Sequence, residues 1–231
     1  MRLVLLSGGV DSTTALFWSR IECSTHALIL KYPSLHNAME IKCAVQICEQ
    51  ENIPYTLLDI STLFANFKSA LLQNNLDSKK DFSPLKKFQN NNTIDSIPKD
   101  SYTLESISKL VVPFRNGIFL SIAAGLAQSL GYSEVILANH AGDHPIYPDC
   151  TQDFIDSMNE SIIKGSGGLV KLCSPFCNWN KKDIVKLGIS LGIDYSKTYS
   201  CYQGGHKHCN ICPTCIESNE SFLANNIVVE R

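Results

Sequence analysis

Two groups of residues in this 231-residue chain have the types and spacing to do chemistry. The first is Ser7-Gly8-Gly9-Val10-Asp11-Ser12. Glycine permits positive φ and a close approach of backbone to a ligand. Successive free N–H groups at a helix start then form an anion pocket, and Ser7 and Ser12 add hydroxyl donors. Asp11 stands where it could hold Mg2+ or cap the helix. The pattern is neither a Walker loop nor Gly-x-Gly-x-x-Gly. The second group is Cys201, Cys209, Cys212 and Cys215, which brings four thiols within reach of one tetrahedral ion. Two-residue spacers form the tight turns that zinc–thiolate sites use. Four sulfurs leave no open position, so such a Zn2+ is structural rather than catalytic. His206, Lys207 and His208 offset thiolate charge, and either histidine could also be a ligand.

These groups need elements to position them. Apolar residues 2–6 read as a strand that runs into the glycine pair, and Asp11–Arg20 reads as a helix. Residues 26–32 read as a second strand, 37–50 as a helix and 55–59 as a third strand. This alternation predicts a parallel sheet flanked by helices. Residues 73–103 are polar and carry little periodicity, which suggests an insertion or lid. A helix over Gly117–Leu130 stops at Gly131. Strand Glu134–Ala138, a loop over Asn139–Thr151, helix Gln152–Lys164, a short strand at 169–172 and a helix near Lys182–Leu191 follow. The expectation is an α/β fold, a doubly wound parallel sheet over 1–195, with a small zinc-binding segment over 196–231.

Composition bounds the function. Hydrophobic residues at 44% and charged residues at 18% exclude a disordered chain. No apolar run is long enough to span a bilayer. The first apolar stretch is too short for a signal peptide, so the expected compartment is the cytoplasm, where thiols stay reduced and metal binding is the better reading of crowded cysteines. A net charge of −2 offers no basic excess for a nucleic-acid partner.

The turn at 7–12 resembles the pyrophosphate loop of the N-type ATP pyrophosphatases, whose signature is Ser-Gly-Gly-x-Asp-Ser. With the cysteine cluster it resembles the 7-cyano-7-deazaguanine synthases (the QueC family). Three further segments are similar to that family: Val112-Pro113-Phe114-Arg115-Asn116, Tyr147-Pro148-Asp149-Cys150 preceded by Asp143, and Lys181-Lys182-Asp183-Ile184-Val185. Order and spacing agree from residue 3 to about 222. Seven positions depart. Tyr32-Pro33-Ser34-Leu35-His36 replaces Tyr-Gly-Gln-Arg-His, Phe114 and Ile146 replace glycines, Thr151 replaces an arginine, and Ser218 replaces the arginine after the cysteines.

The resemblance implies a Rossmann-like nucleotide-binding fold and an ATP-dependent carbon–nitrogen ligase. Its carboxylate substrate is 7-carboxy-7-deazaguanine, its cofactors are Mg2+ and Zn2+, and ammonia displaces AMP to give amide and then nitrile. Carried over to this sequence, Ser7 to Ser12 bind ATP, and Asp11, Ser12, Arg115 and Lys181 are the catalytic candidates. Tyr32, Asp143, Tyr147 and Asp149 are the substrate-binding candidates. Asp149 is equally suited to cap the helix from Gln152, and Arg115 or Lys181 to be a solvated charge. The departures on the acceptor side leave two alternatives. The activated deazaguanine could pass to a protein N-terminus in a specialised, for example anti-phage, system, or the chain could be a zinc-stabilised nucleotide-binding module without turnover. The resemblance also allows a homodimer.

Overall fold

Strands covered on both faces must be apolar on both, and this chain's inner strands are. In the computed structural model, which describes residues 1–69, 71–72 and 111–231, five strands form one parallel sheet. They are β1 (Arg2–Leu5), β2 (Thr25–Lys31), β3 (Tyr55–Asp59), β4 (Glu134–Ile136) and β5 (Lys171–Cys173), in the order β3-β2-β1-β4-β5. The polar stretch over 73–103, expected to be an insertion or lid, lies outside the described residues. Pairing of Val4 with Ala27 and Ile136, and of Leu5 with Leu28, sets the register.

Alternate side chains point to opposite faces, and two cores result. Leu3, Leu5, Leu28, Leu30, Val135 and Leu172 pack under α3 (Arg115–Ser129) and α4 (Gln152–Gly165). Val4, Leu6, Ala27, Ile29 and Ile136 pack under α1 (Val10–Arg20), α2 (Asn37–Gln50) and α5 (Lys181–Ser190). Helices on both faces of a parallel sheet make the doubly wound arrangement expected from the sequence. The edge strand β3 is the exception: Tyr55, Leu57 and Leu58 are all exposed.

Local chemistry fixes the helix starts that matter to the site. Asn180 accepts the Asp183 N–H at 3.0 Å and so caps α5, which places Lys181 at its first position. Gly9 precedes α1 and offers no side chain, so the first-turn amides of Val10, Asp11 and Ser12 lack an intrahelical acceptor. One helix was not expected from the sequence. Cys212 and Pro213 open α6 (Pro213–Leu223) within the cysteine-rich segment. This segment docks on the glycine turn, where the Tyr199 N–H donates to the Gly8 carbonyl at 2.9 Å.

Candidate active site

The carboxyl ends of β1, β2 and β4 converge on a cavity of about 220 Å³, the place where open parallel sheets bind ligands. The turn at 7–12 forms its floor. Gly8 has φ +84°, and a Cβ there would come within 2.5 Å of the Glu40 carbonyl and 2.8 Å of the Ala44 nitrogen. Only glycine fits between β1 and α2 at this point. Ser7 Oγ accepts the Gly9 N–H at 3.2 Å and meets Ser12 Oγ at 2.9 Å, which holds the turn in shape. Val10 turns away into the core against Val185, Tyr195 and Phe222.

Charge gathers above this floor. Lys181 Nζ lies 3.2 Å from Asp11 Oδ2 and donates to Glu217 Oε2 at 2.9 Å. Burial disfavours the ammonium, but Asp11 and Glu217 outweigh it and hold the Lys181 pKa above its ordinary value. His140 is buried, and its Nδ1 accepts the Gly142 N–H at 3.0 Å. Its Nε2 faces Asp143 at 3.7 Å, Glu217 at 3.8 Å and Asp11 at 3.9 Å. Burial raises the Asp143 carboxyl, against the opposing pull of His140 and Lys181. Asp11 Oδ1 is buried without a hydrogen-bond partner among the described residues. An unpartnered buried carboxylate oxygen is costly unless a ligand takes it, so the donor set fits a divalent cation on Asp11.

The other end of the cavity is aromatic. Arg115 Nη1 donates to the Tyr32 hydroxyl at 3.3 Å, and its guanidinium lies 5.9 Å from the Phe119 ring. No carboxylate among the described residues forms an ion pair with Arg115. The residue before it, Phe114, has φ +55°, a left-handed conformation that a bulky side chain rarely adopts. Tyr202 lines the same end and meets the Tyr147 hydroxyl at 3.3 Å, so Tyr147 stands behind Tyr202. Asp149 is placed differently from the base-binding position expected of it. Its Oδ2 accepts the Asn116 N–H at 2.9 Å, which caps α3 from a distant loop, and it does not line the cavity. The cap lands on α3 and not on the helix from Gln152, which Thr151 caps instead.

The cluster of Cys201, Cys209, Cys212 and Cys215 has all four sulfurs within 4.8 Å of one another. A tetrahedral zinc–thiolate site needs sulfurs about 3.8 Å apart, given Zn–S bonds of about 2.3 Å. Cys209 N–H donates to Cys201 Sγ at 3.4 Å and Cys212 N–H to Cys209 Sγ at 3.3 Å, contacts that favour thiolates. The residues fit a metal ion.

Among the cavity residues that sequence reasoning missed, Asn37 and Glu40 lie on α2, and Tyr199, Ser200, Tyr202, Thr214 and Glu217 lie in the cysteine-rich segment, where the sulfurs were the main signal. Pro213 directly after a cap position is the signal that could have placed a helix there, and Glu217 on it.

A parallel sheet wound on both faces, with a glycine turn after its first strand, places the chain among the doubly wound α/β proteins. The solved structure of NMN synthetase from Francisella tularensis shares this fold, with a TM-score of 0.51 and 15% identity over 100% of this chain and 88% of that one. The family described as "Queuosine biosynthesis protein QueC" matches residues 1–226, and the chain belongs to that family. The 7-cyano-7-deazaguanine synthase of Porphyromonas gingivalis is 38% identical over 220 residues, 95% of this chain and 91% of the relative. That of Caldicellulosiruptor saccharolyticus is 38% identical over 221 residues, 95% and 89% of the two chains.

Proposed function

We propose that this protein uses ATP to activate the carboxylate of 7-carboxy-7-deazaguanine and joins it to ammonia, giving the amide and then the nitrile 7-cyano-7-deazaguanine. The observation that carries the reading is one cavity, with the turn at 7–12 as its floor. It sets a phosphate-type anion pocket beside Lys181 at one end and Arg115 among aromatic rings at the other. The names of the relatives support this outcome. None supports a protein amine as acceptor or a module without turnover.

A carboxylate resists amines because its oxygen is a poor leaving group. In the proposed reaction a carboxylate oxygen attacks the α-phosphorus of ATP and pyrophosphate leaves. Ammonia then attacks the acyl carbon, AMP departs, and the nitrogen loses a proton to solvent. A second adenylation, on the amide oxygen, lets AMP leave with that oxygen while nitrogen gives up its two protons, which forms the nitrile. The amides of Val10, Asp11 and Ser12, the Ser12 hydroxyl and Lys181 bind and steady the phosphates as negative charge builds on pyrophosphate. Mg2+ on Asp11 would supply further charge neutralisation at the phosphates. Arg115 clamps a second anion, and Tyr32 and Asp143 face the base. Tyr147 acts through Tyr202, and Asp149 through the start of α3. Zn2+ on the four cysteines would hold the last segment in place, with no open position for chemistry.

One incubation with ATP, Mg2+, 7-carboxy-7-deazaguanine and ammonium tests the reading by mass spectrometry. Amide and nitrile should appear together with AMP. ATP consumed without either product, or no AMP under any of these conditions, would contradict it.

A further inference from the structure

Glu217 belongs to the cysteine-rich segment, yet its carboxylate sits in the nucleotide cavity. Three separate parts of the chain meet on one ammonium: the glycine turn through Asp11, α5 through Lys181, and α6 through Glu217. The Lys181 side chain is only 7% exposed, so solvent does little to hold it. A four-carbon stem has many rotamers, and a buried ammonium keeps one position only if partners fix it.

The geometry of α6 explains how Glu217 reaches this point. Cys215 lies in the first turns of the helix and faces the other sulfurs. Each residue advances a helix by about 100°, so Glu217, two positions on, leaves the opposite flank, about 200° round. The sulfur cluster and Lys181 therefore hold the same stretch of helix from two sides. On this same segment, Thr214 Oγ1 also donates to the Ser200 carbonyl. Gly142 closes the space beside the carboxylate, since a Cβ there would come within 3.0 Å of Glu217 Oε1 and 2.7 Å of His140 Cε1.

We propose that Glu217 is the positioning residue for Lys181. It holds the ammonium where charge develops on the departing pyrophosphate, and it makes the cysteine-rich segment a working part of the nucleotide site. The inference rests on the functional reading above.

The test compares Glu217→Ala with Glu217→Gln, measuring AMP release against ATP concentration, the Kd for ATP and bound zinc on the same preparations. The alanine variant should lose about 10–100-fold in kcat, the range a small misplacement of a reacting group causes, with its Kd for ATP within about three-fold of wild type and zinc unchanged. The glutamine variant should keep kcat within about three-fold of wild type, because its amide oxygen accepts the same Lys181 hydrogen bond at the same reach. Wild-type kcat in the alanine variant, an equal loss in both variants, or loss of zinc from either would overturn the assignment. Wild-type protein that formed no AMP would overturn the functional reading itself, and the inference would fall with it.

Discussion

At the scale of single residues, the site is organised by what each charged group lacks as much as by what it has. Lys181 has two carboxylates, Asp11 and Glu217, whereas Asp11 keeps one buried oxygen without a partner among the described residues. Asp11 therefore supports Lys181 and, in the proposed reaction, has an oxygen left for a divalent cation. Replacing it by asparagine keeps the shape and removes the charge. Asp11→Asn should cut AMP formation by about 10²–10³-fold, the cost typical of losing one stabilising group at a developing charge. Zinc content should stay the same, because the four cysteines lie elsewhere. Initial-rate measurement of AMP, with zinc measured on the same sample, checks this, and activity within a few-fold of wild type would count against Asp11. Asp11 was legible from the glycine turn itself, a local pattern, and Lys181 from the resemblance of Lys181–Val185 to the family's segment. The sequence could not name Glu217 or Tyr202, since their roles depend on how a cysteine-rich segment folds back over the turn at Gly8.

At the scale of elements, the start of α3 builds the aromatic end of the cavity. Arg115 is the first residue of that helix, and its position depends on the left-handed Phe114 before it and on Asp149 beneath it. The Asn116 side chain returns the contact, donating to the Asp149 carbonyl at 3.2 Å and to Cys150 Sγ at 3.1 Å. Asp149→Ala would leave the buried Asn116 N–H without its acceptor, and an unsatisfied buried donor costs about 1–3 kcal/mol. Urea unfolding should show a stability loss of that size, together with weaker acceptor binding as Arg115 shifts. Wild-type stability would show that the cap is dispensable. The strands and helices of the sheet were legible from periodicity, and α2 and β3 fall on the expected residues. Asp149 was legible as a residue of consequence but not as the cap of α3. Asn116 and Asp149 are 33 positions apart, and no local pattern predicts a cap at that range. The helix α6 is masked for another reason: four cysteines in fifteen residues carry the pattern of a metal knuckle, and that pattern overlies the helix-start signal of Pro213.

At the scale of the whole molecule, the sheet supplies a rigid floor and the last segment supplies the cover. Residues that interleave on the two cores fix β1 and β4, and these aim the turn at 7–12 and the loop carrying His140 and Asp143 into one space. The cysteine-rich segment then lies across the turn, with Tyr199 on Gly8 and Glu217 on Lys181. No helix among the described residues is long and apolar enough to cross a membrane. If the glycine turn receives the phosphates of ATP as proposed, a crystal structure with a non-hydrolysable ATP analogue will show phosphate oxygens within hydrogen-bonding distance of the Asp11 and Ser12 amides, with Lys181 Nζ on the β- or γ-phosphate. A nucleotide bound elsewhere, with the turn at Ser7–Ser12 empty, would contradict that proposal.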